Sequence, residues 1–201
     1  DANSGNHFIK GVRRVLHNPE IPRKYCLTPE FVRGIRELGK RKLLFDICIR
    51  PAELHDAVEL CRQVPETTIV LDHCGNADPY IVNGQRKIDS SSSDTTFLHS
   101  KESWHEGIFK LGELENVYCK ISGIVARAEA GWNPGTLAPT VNACLDAFGE
   151  ERVVFGGDWP VCTLGSSLAQ WVATLKEIIA KRPTEMQEKL FSLNAEQLYQ
   201  L

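Results

Sequence analysis

The chain has 201 residues and a mass of 22.5 kDa, which suffices for one sizeable hydrophobic core, so we expect a single catalytic domain over residues 1–201. Its formal net charge of -3 at pH 7 excludes the strongly basic surface of a typical nucleic-acid-binding protein and gives no electrostatic reason to expect an anionic membrane as partner. No apolar run approaches the length of a membrane-spanning helix.

The cysteines are odd in number and scattered, mostly within apolar runs, and no two of them form a C-x-x-C pair. This pattern predicts reduced, buried thiols in a cytoplasmic protein, and it argues against a disulfide framework or a thiolate zinc site. The seven residues are Cys26, Cys48, Cys61, Cys74, Cys119, Cys144 and Cys162.

Apolar runs alternate with helical patterns along the whole chain. The first helix is marked by Thr28-Pro29-Glu30, because threonine is a good N-cap, proline fits the first turn and glutamate suits the positive end of the helix dipole. Near-continuous apolar strands that alternate with helices are typical of a parallel α/β sheet covered by helices. The predicted strands are 8–16, 43–49, 67–73, 117–123 and 153–160, and the predicted helices lie near 28–39, 54–61, 104–114, 137–148, 167–181 and 184–201.

One long irregular stretch covers residues 76–103 and contains Ser90–Ser93. A loop of this length is uncommon in a compact domain. Because it follows a strand that carries candidate active-site residues, a substrate lid is one interpretation. A surface insertion without a role is an equally good one.

Ionisable residues follow every predicted strand. Ligands of parallel α/β proteins bind at the carboxyl ends of the strands, and a charge beside a buried sheet is costly unless it is paired or solvated. The set therefore predicts a polar pocket at that edge. It comprises Arg13, Arg14, Arg50, Asp72, His73, Lys120, Arg127 and Asp158, with Trp159 beside the last of them.

Each member of this set also has a purely structural interpretation. Asp158 could cap a turn, His73 could be a hydrogen-bonded core histidine, and Lys120 could be a paired residue. Only one of Arg13 and Arg14 should point into the pocket, because neighbouring strand residues face opposite sides.

Other charged residues are expected outside the pocket. Arg50 precedes a proline, and we expect it in a loop with its charge in water. The remaining histidines are expected at the surface: His7, His17, His55, His99 and His105.

Five short motifs occur in an order that resembles the amidohydrolase-2 family, in its branch of lactone hydrolases that act on sugar lactones or on 2-pyrone-4,6-dicarboxylate. Any single motif is weak, but the ordered set covers nearly the whole chain. The motifs are Gly11-Val12-Arg13, Val70-Leu71-Asp72-His73-Cys74-Gly75, Cys119-Lys120-Ile121-Ser122-Gly123, Phe155-Gly156-Gly157-Asp158-Trp159-Pro160-Val161 and Phe191-Ser192-Leu193-Asn194-Ala195-Glu196-Gln197-Leu198-Tyr199.

The resemblance implies a distorted (β/α)8 barrel of the TIM type, whose first strand carries a His-x-His pair. No two histidines of this chain are two residues apart, so that strand is missing. The visible strands resemble the last five of eight, and the chain, which begins at Asp1, is expected to be the carboxyl-terminal part of a barrel.

The resemblance also implies roles for particular residues. Asp158 would be the general base that takes a proton from the attacking water, and His73 would polarise the lactone carbonyl. The residues implied to contact substrate are Arg13, Arg127, Trp159 and Lys120, the last without an assigned role.

The remaining predictions concern the cofactor, the partners and the alternative functions. One divalent ion such as zinc is considered at His73 and Asp158, although two ligands are fewer than the three that catalytic zinc usually has. We expect a small-molecule substrate and neither a nucleic acid nor a membrane as partner; a homo-oligomer is left open. The alternatives are a zinc-dependent decarboxylase of the same superfamily, and a non-catalytic α/β small-molecule-binding module or inactive fragment.

Overall fold

A computed structural model describes residues 8–87 and 96–201. Five strands within these residues form one parallel sheet, in the order in which they occur along the chain. This confirms the predicted α/β class, with each strand shorter than its apolar run. The strands are β1 (Gly11–Val15), β2 (Leu44–Cys48), β3 (Ile69–Leu71), β4 (Val117–Ile121) and β5 (Val153–Phe155).

Helices cross over between the strands and follow the last one. They are α1 (Pro29–Lys40), α2 (Leu54–Gln63), the single turn α3 (His73–Asn76), α4 (Pro79–Val82), α5 (Lys101–Gly112), α6 (Pro134–Phe148), α7 (Leu168–Ile178), α8 (Thr184–Glu188) and α9 (Asn194–Tyr199). A π-helical segment, Lys189–Leu193, joins α8 to α9.

Local sequence explains most of these boundaries. Pro29 opens α1 after the extended residue Thr28, as the sequence predicts, but the Thr28 side chain does not cap the helix, because its hydroxyl donates to the Tyr25 carbonyl. The helix ends at Lys40, one residue beyond the predicted stop. Helix α6 begins with a capping box between Asn133 and Thr136. It ends at Gly149, whose φ of 69° suits a glycine.

The described parts of the stretch 76–103, residues 76–87 and 96–103, contain more regular structure than the sequence predicts. They include α4, whose first turn is capped by the Asp78 carboxylate, and the first residues of α5. Ser90–Ser93 lies outside the described residues, so the lid remains a prediction.

The two faces of the sheet are buried in different ways. One face packs against the helices and forms the main core, which includes Trp104 and Trp171. The other face carries a small apolar layer of Leu44, Val70 and Val154, covered by Leu198 of α9.

On that second face, charged residues follow the apolar layer toward the carboxyl ends of the strands. Side chains two residues apart on a strand share a face, so Asp46 follows Leu44, Asp72 follows Val70 and Lys120 follows Tyr118. The apolar layer thus closes one end of this face and leaves the carboxyl ends of the strands for polar groups.

Among the described residues, no helix combines the length and apolar character needed to cross a membrane. All seven cysteines are buried and unbridged, as the sequence predicts.

Candidate active site

A cavity of about 410 Å³ opens at the carboxyl ends of the strands. It brings together four of the six predicted site residues, namely Arg13, His73, Arg127 and Asp158. The other residues that line it are Val15, His17, Cys48, Asn76, Phe97, Gly123, Ala126, Val161 and Leu164.

His73 and Asp158 face each other in this cavity, with 3.7 Å between Nε2 and Oδ1. Their side chains are only 13% and 14% exposed. Burial lowers the pKa of His73 to about 4, although the Asp158 carboxylate acts in the opposite direction. The imidazole is therefore neutral near pH 7, and the pair combines a carboxylate with an imidazole that can donate or accept a hydrogen bond.

The chain reaches this geometry through α3, a left-handed turn. His73, Cys74, Gly75 and Asn76 all have φ between 52° and 65°, a conformation that is costly for residues other than glycine. Trp104 Nε1 donates to the Cys74 carbonyl at 3.0 Å and so helps to hold the turn.

Asn76 secures the end of the same turn, because its Nδ2 donates to the Ile49 carbonyl at 2.8 Å. The turn directs both His73 and Asn76 into the cavity wall.

Lys120 is held by two carboxylates beneath the cavity. Its Nζ donates to Asp46 Oδ2 at 2.7 Å and to Asp72 Oδ1 at 2.9 Å. Burial alone would lower the pKa of Lys120, but the charges of Asp72 and Asp46 outweigh that effect and raise it. The structure thus supports the paired interpretation of Lys120, which does not line the cavity.

Arg13 joins the same network, with Nε 2.9 Å from Asp72 Oδ2 and Nη2 3.3 Å from Asp46 Oδ2. Both Arg13 and its neighbour Arg14 are exposed, but only Arg13 lines the cavity, as the alternation of strand side chains predicts. Burial raises the pKa of Asp72, whereas Lys120 and Arg13 lower it.

Asp46 is a site residue that the sequence reasoning missed. The available signal was a charged residue in the middle of the apolar strand Leu44–Cys48, which requires a partner inside the protein.

Arg127 is half-buried against the turn that carries His73. It donates from Nη1 to the Asn76 carbonyl at 2.7 Å and from Nη2 to Asn76 Oδ1 at 3.1 Å. Its guanidinium lies 3.7 Å from the centre of the Phe97 ring. Burial lowers the pKa of Arg127 to about 10, still well above neutral pH, so the cation supports the cavity wall.

Trp159 lies apart from these residues. It is 71% exposed and does not line the cavity. Its neighbour Asp158 points into the cavity while the indole points to solvent, so the substrate contact implied for Trp159 stays a prediction.

Arg50 is buried, so the prediction that its charge lies in water is wrong. Its Nη1 donates to Glu53 Oε1 at 3.0 Å, and its Nη2 donates to the carbonyls of Asn18 and Ile21. The guanidinium is buried because carbonyl groups of another loop accept its hydrogen bonds. The prediction rested on the neighbouring Pro51, which carries no information about these distant partners.

Two histidines also depart from the surface positions predicted for them. His99 is 4% exposed, because its Nε2 accepts the backbone N–H of Asp78 at 3.0 Å. His17 lines the cavity, with Nδ1 3.4 Å from Cys48 Sγ. His55 and His105 are exposed as predicted, and His7 lies outside the described residues.

The donor atoms around His73 fit a divalent ion. One ligand atom each from Cys48, Asp72 and His73 lie within 4.8 Å of one another, and Asp158 stands across the cavity from His73. Nitrogen, oxygen and sulfur donors together suit zinc. Burial raises the pKa of Cys48 to about 11 and Asp72 already pairs with two cations, so His73 and Asp158 are the most available ligands.

A family model for amidohydrolases matches residues 7–201 of the chain. The chain belongs to the amidohydrolase family. Its five-stranded sheet is the part of a (β/α)8-type barrel that the chain spans.

Comparisons with individual amidohydrolases agree with this family membership. The chain is 31% identical over 176 residues to an L-fucono-1,5-lactonase of Burkholderia multivorans. The aligned region covers 84% of this chain and 54% of that enzyme. It superposes on a crystal structure of a B. multivorans amidohydrolase with bound zinc at a TM-score of 0.80 and 26% identity, over 96% of this chain and 64% of that one.

A more distant structure shows the fold alone. It is a probable 2-pyrone-4,6-dicarboxylic acid hydrolase of Acinetobacter baumannii, with a TM-score of 0.70, 18% identity and coverage of 95% of this chain and 64% of that one. The chain thus spans a little over half the length of the lactonase and about two thirds of these two solved chains.

Proposed function

We propose that the protein hydrolyses a lactone, with Asp158 as the base for the attacking water and His73 as the group that polarises the carbonyl. The observation that carries this proposal is the opposition of a carboxylate and a neutral imidazole, 3.7 Å apart, in a cavity at the strand ends. The similarity to an enzyme named L-fucono-1,5-lactonase supports the substrate class.

The reaction follows from these two groups. Asp158 accepts a proton from water as its oxygen bonds to the carbonyl carbon, and the Nε2–H of His73 stabilises the negative charge that develops on the carbonyl oxygen. The ring C–O bond then breaks, and the proton held by Asp158 passes to the departing alkoxide oxygen. If His73 and Asp158 held a divalent ion, its Lewis acidity would polarise the carbonyl in place of the Nε2–H.

The arginines favour a neutral sugar lactone over a dicarboxylate lactone. Arg13 already pairs with Asp46 and Asp72, and Arg127 donates to Asn76. A dicarboxylate would need guanidinium groups free for bidentate contacts. Hydroxyl groups of a sugar need single hydrogen bonds, which the remaining N–H groups can supply.

The test is acid release by the complete protein over a panel of sugar lactones and dicarboxylate lactones, with and without a chelator. We expect turnover of sugar lactones and a loss of about 100-fold or more in kcat for Asp158→Asn and His73→Ala. Asp146→Asn is the matched control, because Asp146 is exposed and pairs with Arg182.

Three outcomes would contradict the proposal. Unchanged turnover in Asp158→Asn would remove the base from the mechanism. Decarboxylation of aromatic acids by the zinc-loaded protein, with no lactone opened, would favour the decarboxylase. Ligand binding without turnover of any substrate would favour a binding module.

The remaining predictions concern the protein's surroundings. A small-molecule substrate follows from the lactonase proposal. The cytoplasmic location and the homo-oligomer stay predictions, which cell fractionation and light scattering would test.

A further inference from the structure

A serine lies directly behind the imidazole of His73. Ser122 follows β4, is fully buried, and places its Oγ 2.8 Å from His73 Nδ1. The two residues are 49 positions apart in the sequence, so only the fold brings them together.

The backbone around this contact leaves the ring little freedom. Gly123 has a φ of 72°, and a Cβ built there would lie 2.5 Å from His73 Cγ. On the other side, a Cβ at Gly156 would lie 2.8 Å from the Cβ of Ser122. Glycines at both positions allow serine and imidazole to approach, and the close packing restricts both side chains.

The groups that face the two ring nitrogens, Asp158 and Ser122, together determine which nitrogen carries the proton. Asp158 faces Nε2, and an ionised carboxylate only accepts hydrogen bonds, so Nε2 should carry the proton. Nδ1 is then a lone-pair acceptor, and the Ser122 hydroxyl donates to it.

We propose that Ser122 is a positioning residue that donates its hydroxyl to His73 Nδ1 and holds the imidazole in the Nε2–H tautomer, with that N–H directed into the cavity. The role in turnover rests on the proposed lactone hydrolysis, in which this N–H meets the carbonyl oxygen. The tautomer itself is a property of the resting protein and does not depend on any substrate.

The primary test is NMR of the chelator-treated protein labelled with ¹⁵N in its histidine rings. Loss of one signal set in His73→Gln assigns the His73 ring, and long-range proton–nitrogen correlations report which nitrogen carries the proton. We expect Nε2–H in the unmodified protein and a mixture of tautomers in Ser122→Ala. A resting Nδ1–H form, or an identical spectrum in Ser122→Ala, would overturn the proposal.

Two further variants separate positioning from folding. Ser122→Cys keeps a weak donor of similar size and should keep more of the Nε2–H form than Ser122→Ala does. Ser192→Ala is the control, because Ser192 is exposed and its Oγ contacts Glu196. If Ser122→Ala did not fold, the spectrum of the unmodified protein and the Ser122→Cys comparison would still decide the proposal.

Kinetics then connect the tautomer to turnover. With a sugar lactone that the protein opens, Ser122→Ala should lower kcat by about 10-fold to 100-fold with KM little changed. An unchanged kcat would overturn the role in turnover. If no lactone is opened at all, the proposed function fails while the NMR result still judges the positioning of His73.

Discussion

At the scale of single residues, the site depends on charges that are balanced inside the protein. Lys120 lies on a sheet face next to an apolar layer and keeps its charge because Asp46 and Asp72 both accept from it. Arg13 supplies the second cation, so two positive and two negative groups meet below the cavity. This network anchors Arg13 at the cavity wall.

Asp46→Asn should destabilise the protein by about 1–3 kcal/mol, because it removes a charged partner from Lys120. Denaturant unfolding measures the loss. Glu37→Gln is the control, since Glu37 pairs with Lys40 at the surface, where such pairs contribute little to stability. Equal losses in the two variants would show that the buried network adds no stability.

His99 should make stability depend on pH. Burial lowers its pKa in the folded protein, and a second ring proton would face the Asp78 N–H that Nε2 now accepts. The folded state therefore binds fewer protons than the unfolded state. The resulting stabilisation is present above the unfolded pKa of about 6.5 and is lost as the pH falls toward the lowered value.

The comparison is the free energy of unfolding at about pH 7 and about pH 5. His99→Gln should lose less stability between these values than the unmodified protein does. His55→Gln replaces an exposed histidine, and it should lose as much stability between the two pH values as the unmodified protein does. A His99→Gln variant with an unchanged loss would exclude His99 as the titrating group.

At the scale of elements, glycines decide how closely helices approach their neighbours. Gly112 ends α5, and a Cβ there would overlap the carbonyl oxygen of Ala147 in α6. Gly34, in the exposed part of α1, has no atom within 4 Å of a built Cβ. The same substitution should therefore have opposite effects at the two positions.

Gly112→Ala should destabilise the protein by about 1–3 kcal/mol through overpacking of α5 against α6. Gly34→Ala should stabilise it by about 0.5–1 kcal/mol, because alanine is the better helix former and restricts the unfolded chain. Chemical denaturation of both variants checks the prediction. A higher free energy of unfolding for Gly112→Ala would contradict the prediction, because it would mean that α5 and α6 move apart without loss of stability.

At the scale of the whole molecule, helix α9 covers the second face of the sheet and is attached to the start of β5. Leu198 of α9 covers the apolar layer on the second face. Asn194, at the start of α9, is buried and donates to the carbonyls of Glu150 and Val153, both at 2.7 Å. The last helix is thereby attached to the start of β5.

Asn194→Ala should destabilise the protein by about 1–3 kcal/mol, because two carbonyls lose their donor. Hydrogen exchange should accelerate first in α9. Asn18→Ala is the control, since the Asn18 amide contacts the exposed carboxylate of Glu20. Uniform exchange across the sheet and α9 would show that the helix is not separately anchored.

Much of the architecture could be predicted from local pattern. The five apolar runs became strands in chain order, and Asp158 and His73 met because carboxyl ends of parallel strands share an edge. Arg50 and His99 departed from their predictions, and Trp159 lies outside the cavity. Burial of an arginine or histidine depends on backbone groups far away in the sequence, and the direction of a tryptophan after a strand depends on the turn.

The sequence by itself determined the parallel α/β order and the placement of charged residues at the strand ends, because hydrophobic period and strand boundaries are local properties of the chain. Only the tertiary structure decided which charges pair and which nitrogen of His73 is directed at Asp158. Lys120 finds Asp46 across 74 residues and His73 finds Ser122 across 49. Such contacts depend on strand register, crossover packing and the left-handed turn His73–Asn76, which no single stretch of sequence encodes.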